Sequence, residues 1–257
     1  MTVDDSGLEF TNMLLTWIIV FSILGSVGAI AGAALLLLFR QSTRKTLLPC
    51  LLSYAVGTLL GAAFLGMLPK ALQQGAAMLI SATVLAGIVL FFVLEKIVIW
   101  RHCHESHCAV HSTAGPLILI GDAFHNFVDG FVIAAAFITS IPLGISASVA
   151  VIAHEIPQEV GDFAILLDND YTTKRALILN LLSSLTTLPG AVIAYYALES
   201  TRELVPFILA LSAASFVYIA IADLIPGLHR QATLRTGLNQ LALILAGIAT
   251  IAFFQWL

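Results

Sequence analysis

The sequence is poor in charged residues and in cysteine. Only 10% of its 257 residues are charged, against about 25% in soluble domains, and 60% are hydrophobic. Three cysteines are too few, and odd in number, for a disulfide framework. No phosphate-binding loop of the form G-x-x-x-x-G-K occurs, and no basic patch resembles a nucleic-acid interface. The missing features argue against a disulfide-rich domain, ATP-driven transport and a nucleic-acid partner. The low charge and the high hydrophobic content place the chain in a lipid bilayer.

Eight apolar runs occupy almost the whole chain. Each has about 20 residues or more, which is the length needed to cross the hydrocarbon core of a bilayer. The runs cover residues 13–39, 47–69, 75–99, 116–139, 143–167, 173–198, 203–227 and 237–257. An acidic start precedes the first run, so we expect a membrane span there and not a cleaved signal. The sequence predicts an all-α integral membrane protein with eight transmembrane helices in one domain, residues 1–257.

Basic residues are distributed unevenly among the connections. With the N-terminus outside, only Lys70 and Arg202 of the eleven basic residues fall on the outer side. The others fall on the cytosolic side: Arg40, Arg44, Lys45, Lys96, Arg101, Lys174, Arg175, Arg230 and Arg235. Because basic connections remain in the cytosol, we expect both termini outside and the loop 100–115 inside. The compact chain favours a cell membrane, either a bacterial inner membrane or a plasma membrane.

Span four interrupts its apolar sequence with the run GDAFHNFVDG. His125 and Asp129 are four residues apart, so they lie on one face of a helix. Ionisable groups at membrane depth cost several kcal/mol each, and they persist where they face one another, water or an ion. This span is therefore a candidate for an ion-binding helix.

Span five carries a second polar run, HEIPQEVGD. His154 and Gln158 share one helix face, while Glu155, Glu159 and Asp162 form a second stripe at helical spacing. Because the two spans run antiparallel, we expect their polar groups to meet near the bilayer midplane, where transporters hold their substrates.

The side chains in these two spans determine the kind of ion. Imidazole, carboxylate and amide oxygen together suit Zn²⁺, Fe²⁺, Mn²⁺ and Cd²⁺ better than Na⁺ or Ca²⁺. The sequence thus predicts a metal site between helices four and five, with the metal as transported substrate and not as the cofactor of an enzyme. Gly130 and Gly161 are expected to allow close approach of the helices.

The two polar runs resemble the signature motifs of the ZIP (Zrt/Irt-like) family of divalent metal transporters, and the form with GD is similar to its LIV-1-like branch. The resemblance extends to LEKIVIWRHCH, GTLLGAAFLGMLPKAL and VYIAIADLIPGLH. It implies eight helices, zinc uptake into the cytosol and a homodimer. It also implies six metal ligands: His125, Asn126, Asp129, His154, Glu155 and Gln158. Where two metals are held, the resemblance implies that Asp129 and Glu155 bridge them.

The sequence departs from the family pattern in two places near the site. The LIV-1-like branch usually has histidine where Gln158 stands, and glutamine offers an oxygen without charge. Some relatives have a glutamate ligand in span six. This chain has none there, which weakens the case for a full second metal site. The polar residues of span six are Asn180, Ser183, Ser184, Thr186 and Thr187.

The loop after span three reads RHCHESHCAVHS. Tracts of this kind bind borderline metals weakly, and the spacing matches no closed structural zinc site. We expect an acceptor or regulator of metal from its six ligand side chains: His102, Cys103, His104, His107, Cys108 and His111. Glu159 and Asp162 are further accessory candidates.

Two other functions remain open from the residues. An intramembrane metalloprotease would use His-Glu-x-x-His, but Gln158 replaces the second histidine and Pro157 interrupts the turn. A metal exporter or proton-coupled antiporter would use the same ligands. Uptake is favoured energetically, because a dication entering an inside-negative cell gains about 4.6 kcal/mol per 100 mV.

Overall fold

The computed structural model describes residues 5–102, 114–229 and 233–256, and all regular elements in this part of the chain are helical. Eight long helices follow one another, four of them in two segments. They are α1 (Asp5–Ile23 and Ala29–Leu38), α2 (Gln41–Gly61 and Leu68–Gln74), α3 (Ala77–His102), α4 (Ala114–Thr139), α5 (Ile141–Asp168), α6 (Thr173–Ser184 and Thr187–Ser200), α7 (Val205–Tyr218 and Ile225–His229) and α8 (Leu234–Trp256).

Seven of these helices are long and apolar enough to cross a membrane. The corresponding segments are Met13–Leu38, Gln41–Gln74, Ala77–Lys96, Ile118–Thr139, Thr173–Ser200, Arg202–His229 and Leu234–Trp256, of which Arg202–His229 includes a 3-10 turn, Arg202–Leu204, just before α7. The remaining helix, α5, has 28 residues, or about 42 Å at 1.5 Å per residue. It carries the acidic residues of the second polar run. Seven predicted spans are therefore confirmed as apolar helices of sufficient length, and a membrane crossing by α5 stays a prediction.

Three helices contain a π-helical turn. The turns are Leu24–Gly28 in α1, Ala62–Met67 in α2 and Ile219–Leu224 in α7. Such turns inside α-helices occur often at functional sites. Helix α6 is interrupted differently, after Ser184, where the Thr186 hydroxyl donates a 2.6 Å hydrogen bond to the carbonyl of Ala123 on α4. The interruption thus links α6 directly to the backbone of a helix that carries the polar run.

Glycines bring α4 and α6 into backbone contact. A Cβ atom on Gly130 would lie 2.1 Å from the carbonyl oxygen of Thr187, and one on Gly190 would lie 2.2 Å from that of Phe127. No larger residue fits at either position without moving a helix. The predicted role of Gly130 in close packing is confirmed. The same prediction for Gly161 is wrong, because no atom of a neighbouring element lies within 4 Å of a Cβ built there.

Helices α2 and α8 form a second closely packed pair. A Cβ atom on Gly57 would lie 2.1 Å from the carbonyl oxygen of Ile244, and one on Gly247 would lie 2.4 Å from that of Tyr54. The Tyr54 hydroxyl also donates to Thr250 at 3.1 Å. These glycine contacts hold α8 against α2. Neither of these two helices carries a polar run.

Candidate metal centre

Helices α4 and α5 form an antiparallel hairpin that turns at Ser140. The Ser140 hydroxyl begins α5 by accepting a hydrogen bond from the backbone N–H of Leu143, a typical N-terminal cap. His125 and His154 lie at nearly equal distances from this turn along the chain, so the hairpin brings them to the same depth. Their Nε2 atoms are 3.2 Å apart.

Four side chains of the hairpin converge on one point: His125, Asp129, His154 and Glu155. One ligand atom from each lies within 4.8 Å of all the others. The His125 Nε2 to Glu155 Oε1 distance is 3.3 Å, and so is the His154 Nε2 to Asp129 Oδ2 distance. A tetrahedral zinc ion with bonds of about 2.0–2.2 Å separates its ligand atoms by about 3.3–3.6 Å. The distance between the two Nε2 atoms, 3.2 Å, and three of the histidine–carboxylate distances are close to this spacing, and the His125 Nε2 to Asp129 Oδ2 distance is wider, at 3.9 Å.

Burial and hydrogen bonding orient these groups toward the same point. Asp129, His154 and Glu155 are buried, while the side chain of His125 is 22% exposed. With Nδ1 protonated, the His154 ring donates to the carbonyl of Ala150 at 2.8 Å, which leaves Nε2 as an acceptor for a metal. Among the described residues, the oxygens of Asp129 and Glu155 receive no hydrogen bond of good geometry, and the Nε2 atoms of His154 and His125 approach them at 3.3 Å. Buried carboxylates of this kind need a cation for compensation.

A second group of carboxylates adjoins the first. Ligand atoms of Asp122, Glu155 and Glu159 also lie within 4.8 Å of one another, and all three residues are buried. Glu155 belongs to both groups. The predicted accessory residue Glu159 thus lies beside a predicted ligand, and they are joined by Asp122, which is not among the predicted ligands. Its spacing of four residues from Asn126 was the signal that could have identified it.

The two amide side chains of the polar runs both contact Asp122. Asn126 Nδ2 donates to Asp122 Oδ1 at 3.0 Å, and Asn126 Oδ1 accepts from the Thr187 hydroxyl at 3.0 Å. Gln158 Nε2 donates to Asp122 Oδ1 at 3.4 Å. In this structure the amides of Asn126 and Gln158 are directed to the second group, and their role as metal ligands stays a prediction.

A cavity of about 470 Å³ connects His125 with the protein surface. It lies where α4 begins and where α5 and α7 end, which is the cytosolic side in the predicted orientation. The accessory candidate Asp162 lines this cavity and belongs to neither group. The lining residues are Leu52, Ile118, Gly121, Asp122, His125, Pro157, Gln158, Asp162, Asp223 and Leu224.

The predicted metal-binding loop is only partly covered by the structure. His102 is the last described residue of α3. The other five predicted ligands lie outside the described residues: Cys103, His104, His107, Cys108 and His111.

Comparison with known proteins identifies the group to which this chain is related. A family profile described as ZIP Zinc transporter matches residues 100–255. The chain is 33% identical to zinc transporter ZIP13 from Pongo abelii over 222 residues, which are 80% of this chain and 66% of that protein. It is 44% identical to zinc transporter ZIP10 from Danio rerio over 110 residues, 43% of this chain and 13% of that protein. Zinc transporter ZIP4 from Rattus norvegicus is 45% identical over 112 residues, 44% of this chain and 17% of that protein.

These matches confirm the resemblance found in the polar runs. ZIP10 and ZIP4 are members of the LIV-1-like branch, as the motif with GD predicts. The chain spans from about one eighth to about two thirds of the length of these relatives. Together with the seven apolar helices, the matches identify a multi-pass membrane protein. The chain belongs to the ZIP zinc transporter family.

Proposed function

We propose that this protein transports divalent metal ions, zinc first, across a membrane and into the cytosol. The observation that carries the proposal is the convergence of four ligand atoms from His125, Asp129, His154 and Glu155, at distances close to those of a tetrahedral zinc site. These relatives are all named zinc transporters, which supports zinc as the substrate. Fe²⁺, Mn²⁺ and Cd²⁺ are the competing ions for the same ligands.

The proposed direction of transport is inward. The cavity that reaches His125 opens on the side where the basic connections lie, so a bound ion has a route to the cytosol. The membrane potential drives a dication the same way, by about 4.6 kcal/mol per 100 mV. We further propose eight crossings with both termini outside, a cell membrane location and a homodimer.

Each side chain near the site has a distinct role in this proposal. The two histidines and two carboxylates of the first group hold the ion. Asn126 and Gln158 orient Asp122 by donating to its carboxylate. As the ion moves, the two amide side chains leave Asp122 and bind the metal. Asp162 in the cavity, and then the histidines and cysteines of the loop 100–115, receive the ion on its way to the cytosol.

The arrangement of Glu155 counts against the protease alternative. In a His-Glu-x-x-His protease the glutamate acts as a base and does not bind the metal. Here Glu155 Oε1 lies 3.3 Å and 3.6 Å from the two Nε2 atoms of His125 and His154, at ligand spacing. The family match also favours transport, because its members are transporters and not enzymes.

Zinc-65 uptake into inside-negative proteoliposomes tests the proposal. We expect saturable uptake by the wild type and loss of uptake in His154→Ala and Asp129→Ala. The matched controls are His229→Ala and Asp168→Asn, whose side chains are exposed and lie outside both groups. All variants are first shown to be monodisperse in detergent. Uptake that survives both substitutions in the first group would contradict the assignment of the site.

A further inference from the structure

A polar pocket of about 200 Å³ lies between the first turns of α2 and α8. It shares no lining residue with the cavity that reaches His125. No acidic side chain lines it, and its polar lining residues are Lys45, Thr46, Ser53, Thr236, Asn239 and Gln240. Because α2 and α8 carry neither polar run, the metal centre does not account for this pocket.

The positive charge at the pocket has no partner of opposite sign on its own helices. Lys45 lines the pocket, Arg235 is next to the lining residue Thr236, and both basic side chains are exposed. Neither forms an ion pair with a carboxylate of the described residues. Residues 10–94, which include all of α2, and residues 224–257, which include all of α8, contain no aspartate and no glutamate. The pocket therefore attracts anions from its surroundings.

Two walls of the pocket supply hydrogen-bond donors for such an anion. Among the described residues, neither the Lys45 ammonium on α2 nor the Asn239 amide on α8 has a hydrogen-bond partner. Gln240 is already engaged, because its Nε2 atom donates to the carbonyl of Leu228 on α7 at 3.2 Å. An ammonium and an amide N–H on opposite walls are donors that the oxygens of one phosphate group accept.

The length of α2 places the pocket at the level of the lipid headgroups. Gln41–Gln74 has 34 residues, or about 51 Å at 1.5 Å per residue, against about 30 Å for the hydrocarbon core of a bilayer. About 10 Å of the helix therefore extends beyond the core at each end. Lys45 lies about 6 Å from the start of α2, so it lies among headgroups, on the cytosolic side in the predicted orientation.

An apolar strip on α8 begins beside the pocket and runs toward the middle of the helix. It consists of Leu238, Leu241 and Leu245, which are 51–58% exposed and share one helix face at i, i+3 and i+7. Leu238 is next to the donor Asn239 in the lining. An acyl chain can lie along this strip while its headgroup fills the pocket. A soluble phosphate would have no use for the strip, which favours a lipid.

We propose that the pocket between α2 and α8 binds the phosphate headgroup of an anionic phospholipid, with Lys45 and Asn239 as its donors. Basic pockets between transmembrane helices on the cytosolic side are typical sites for such headgroups. Leu52 of α2 lines the metal cavity and the next residue, Ser53, lines this pocket, so the lipid supports the helix wall beside the route of the ion. The inference goes beyond transport and holds for any ion at the metal centre.

Binding of dioctanoyl phosphatidylglycerol to the delipidated full chain in neutral detergent tests this inference. We expect a saturable rise in the melting temperature of the wild type, and weaker binding as salt is added. Lys45→Gln should weaken binding by about fivefold, the contribution of one basic residue at a lipid surface. The matched control is Lys174→Gln, an exposed lysine at the start of α6, which should bind the lipid as the wild type does.

A variant without a change of charge separates the pocket from general attraction to the lipid. We expect Asn239→Ala to weaken binding several-fold. Unchanged affinity in both pocket variants, or an equal loss in Lys174→Gln, would overturn the site. Equal binding of dioctanoyl phosphatidylcholine would refute recognition of charge, and displacement of the lipid by millimolar inorganic phosphate would refute a lipid as the occupant. None of these results bears on zinc uptake, which is measured separately.

Discussion

The Nε2 atoms of His125 and His154 lie 3.2 Å apart, although the two residues belong to different helices. Asp129 Oδ2 lies 3.3 Å from the Nε2 atom of His154, and Glu155 Oε1 lies 3.3 Å from that of His125. Two imidazole nitrogens that face one point at this distance, with a carboxylate beside each, are arranged for a shared ion.

Zinc should stabilise the folded protein through the histidine pair. A ligand that binds only the folded state adds about 2.7 kcal/mol at one hundred times its dissociation constant. We therefore expect zinc to raise the melting temperature of the wild type, and His125→Ala to lose most of this shift. Differential scanning fluorimetry in detergent measures it. His229→Ala, with its exposed side chain, should keep the full shift. An equal shift in both variants would contradict zinc binding at His125.

Gly130→Ala should disrupt the site from its other side. The added methyl would lie 2.1 Å from the backbone oxygen of Thr187, so α6 must move away from α4. We expect a loss of about 1–3 kcal/mol in the free energy of unfolding and a fall in zinc uptake. Gly161→Ala is the control, because its methyl meets open space. A stable and active Gly130→Ala variant would argue against backbone contact of the two helices.

Thr187→Val tests the support of Asn126 by α6. The Thr187 hydroxyl donates to Asn126 Oδ1 at 3.0 Å, and valine leaves this buried acceptor without a partner. We expect a cost of about 1–3 kcal/mol in unfolding free energy, and reduced zinc uptake because Asp122 loses its fixed donor. Thr187→Ser, which keeps the hydroxyl, should retain most of the unfolding free energy and most of the zinc uptake of the wild type. If valine and serine behave alike, the hydrogen bond has no role.

Tyr218→Phe tests a contact between α3 and α7. The Tyr218 hydroxyl donates to the carboxylate of Glu95, just before the π turn of α7. Loss of a hydrogen bond to a charged group should lower the free energy of unfolding by about 1–3 kcal/mol, as measured by detergent denaturation. Zinc affinity should not change, because neither residue belongs to the metal centre. Tyr196→Phe is the control, because the ring of Tyr196 is exposed, and its free energy of unfolding should stay within about 0.5 kcal/mol of the wild type.

The sequence by itself determined the helices and the chemistry of the site. Apolar runs long enough for a bilayer specify helices, because the backbone must satisfy its own hydrogen bonds in lipid. The spacing of His125 and Asp129, and that of His154 and Gln158, placed polar side chains on single helix faces without knowledge of any partner helix. Family membership followed from the same runs, and the membrane orientation and the homodimer stay predictions.

The tertiary structure alone decided how those faces meet. Helix rotation and crossing depend on side chains far apart in sequence, so spacing did not reveal that Asp122 joins Glu159, or that Asn126 and Gln158 both donate to Asp122. It also did not reveal that Gly130 meets a backbone while Gly161 meets open space. Local periodicity defines the face of one helix, and only packing selects the partner of that face.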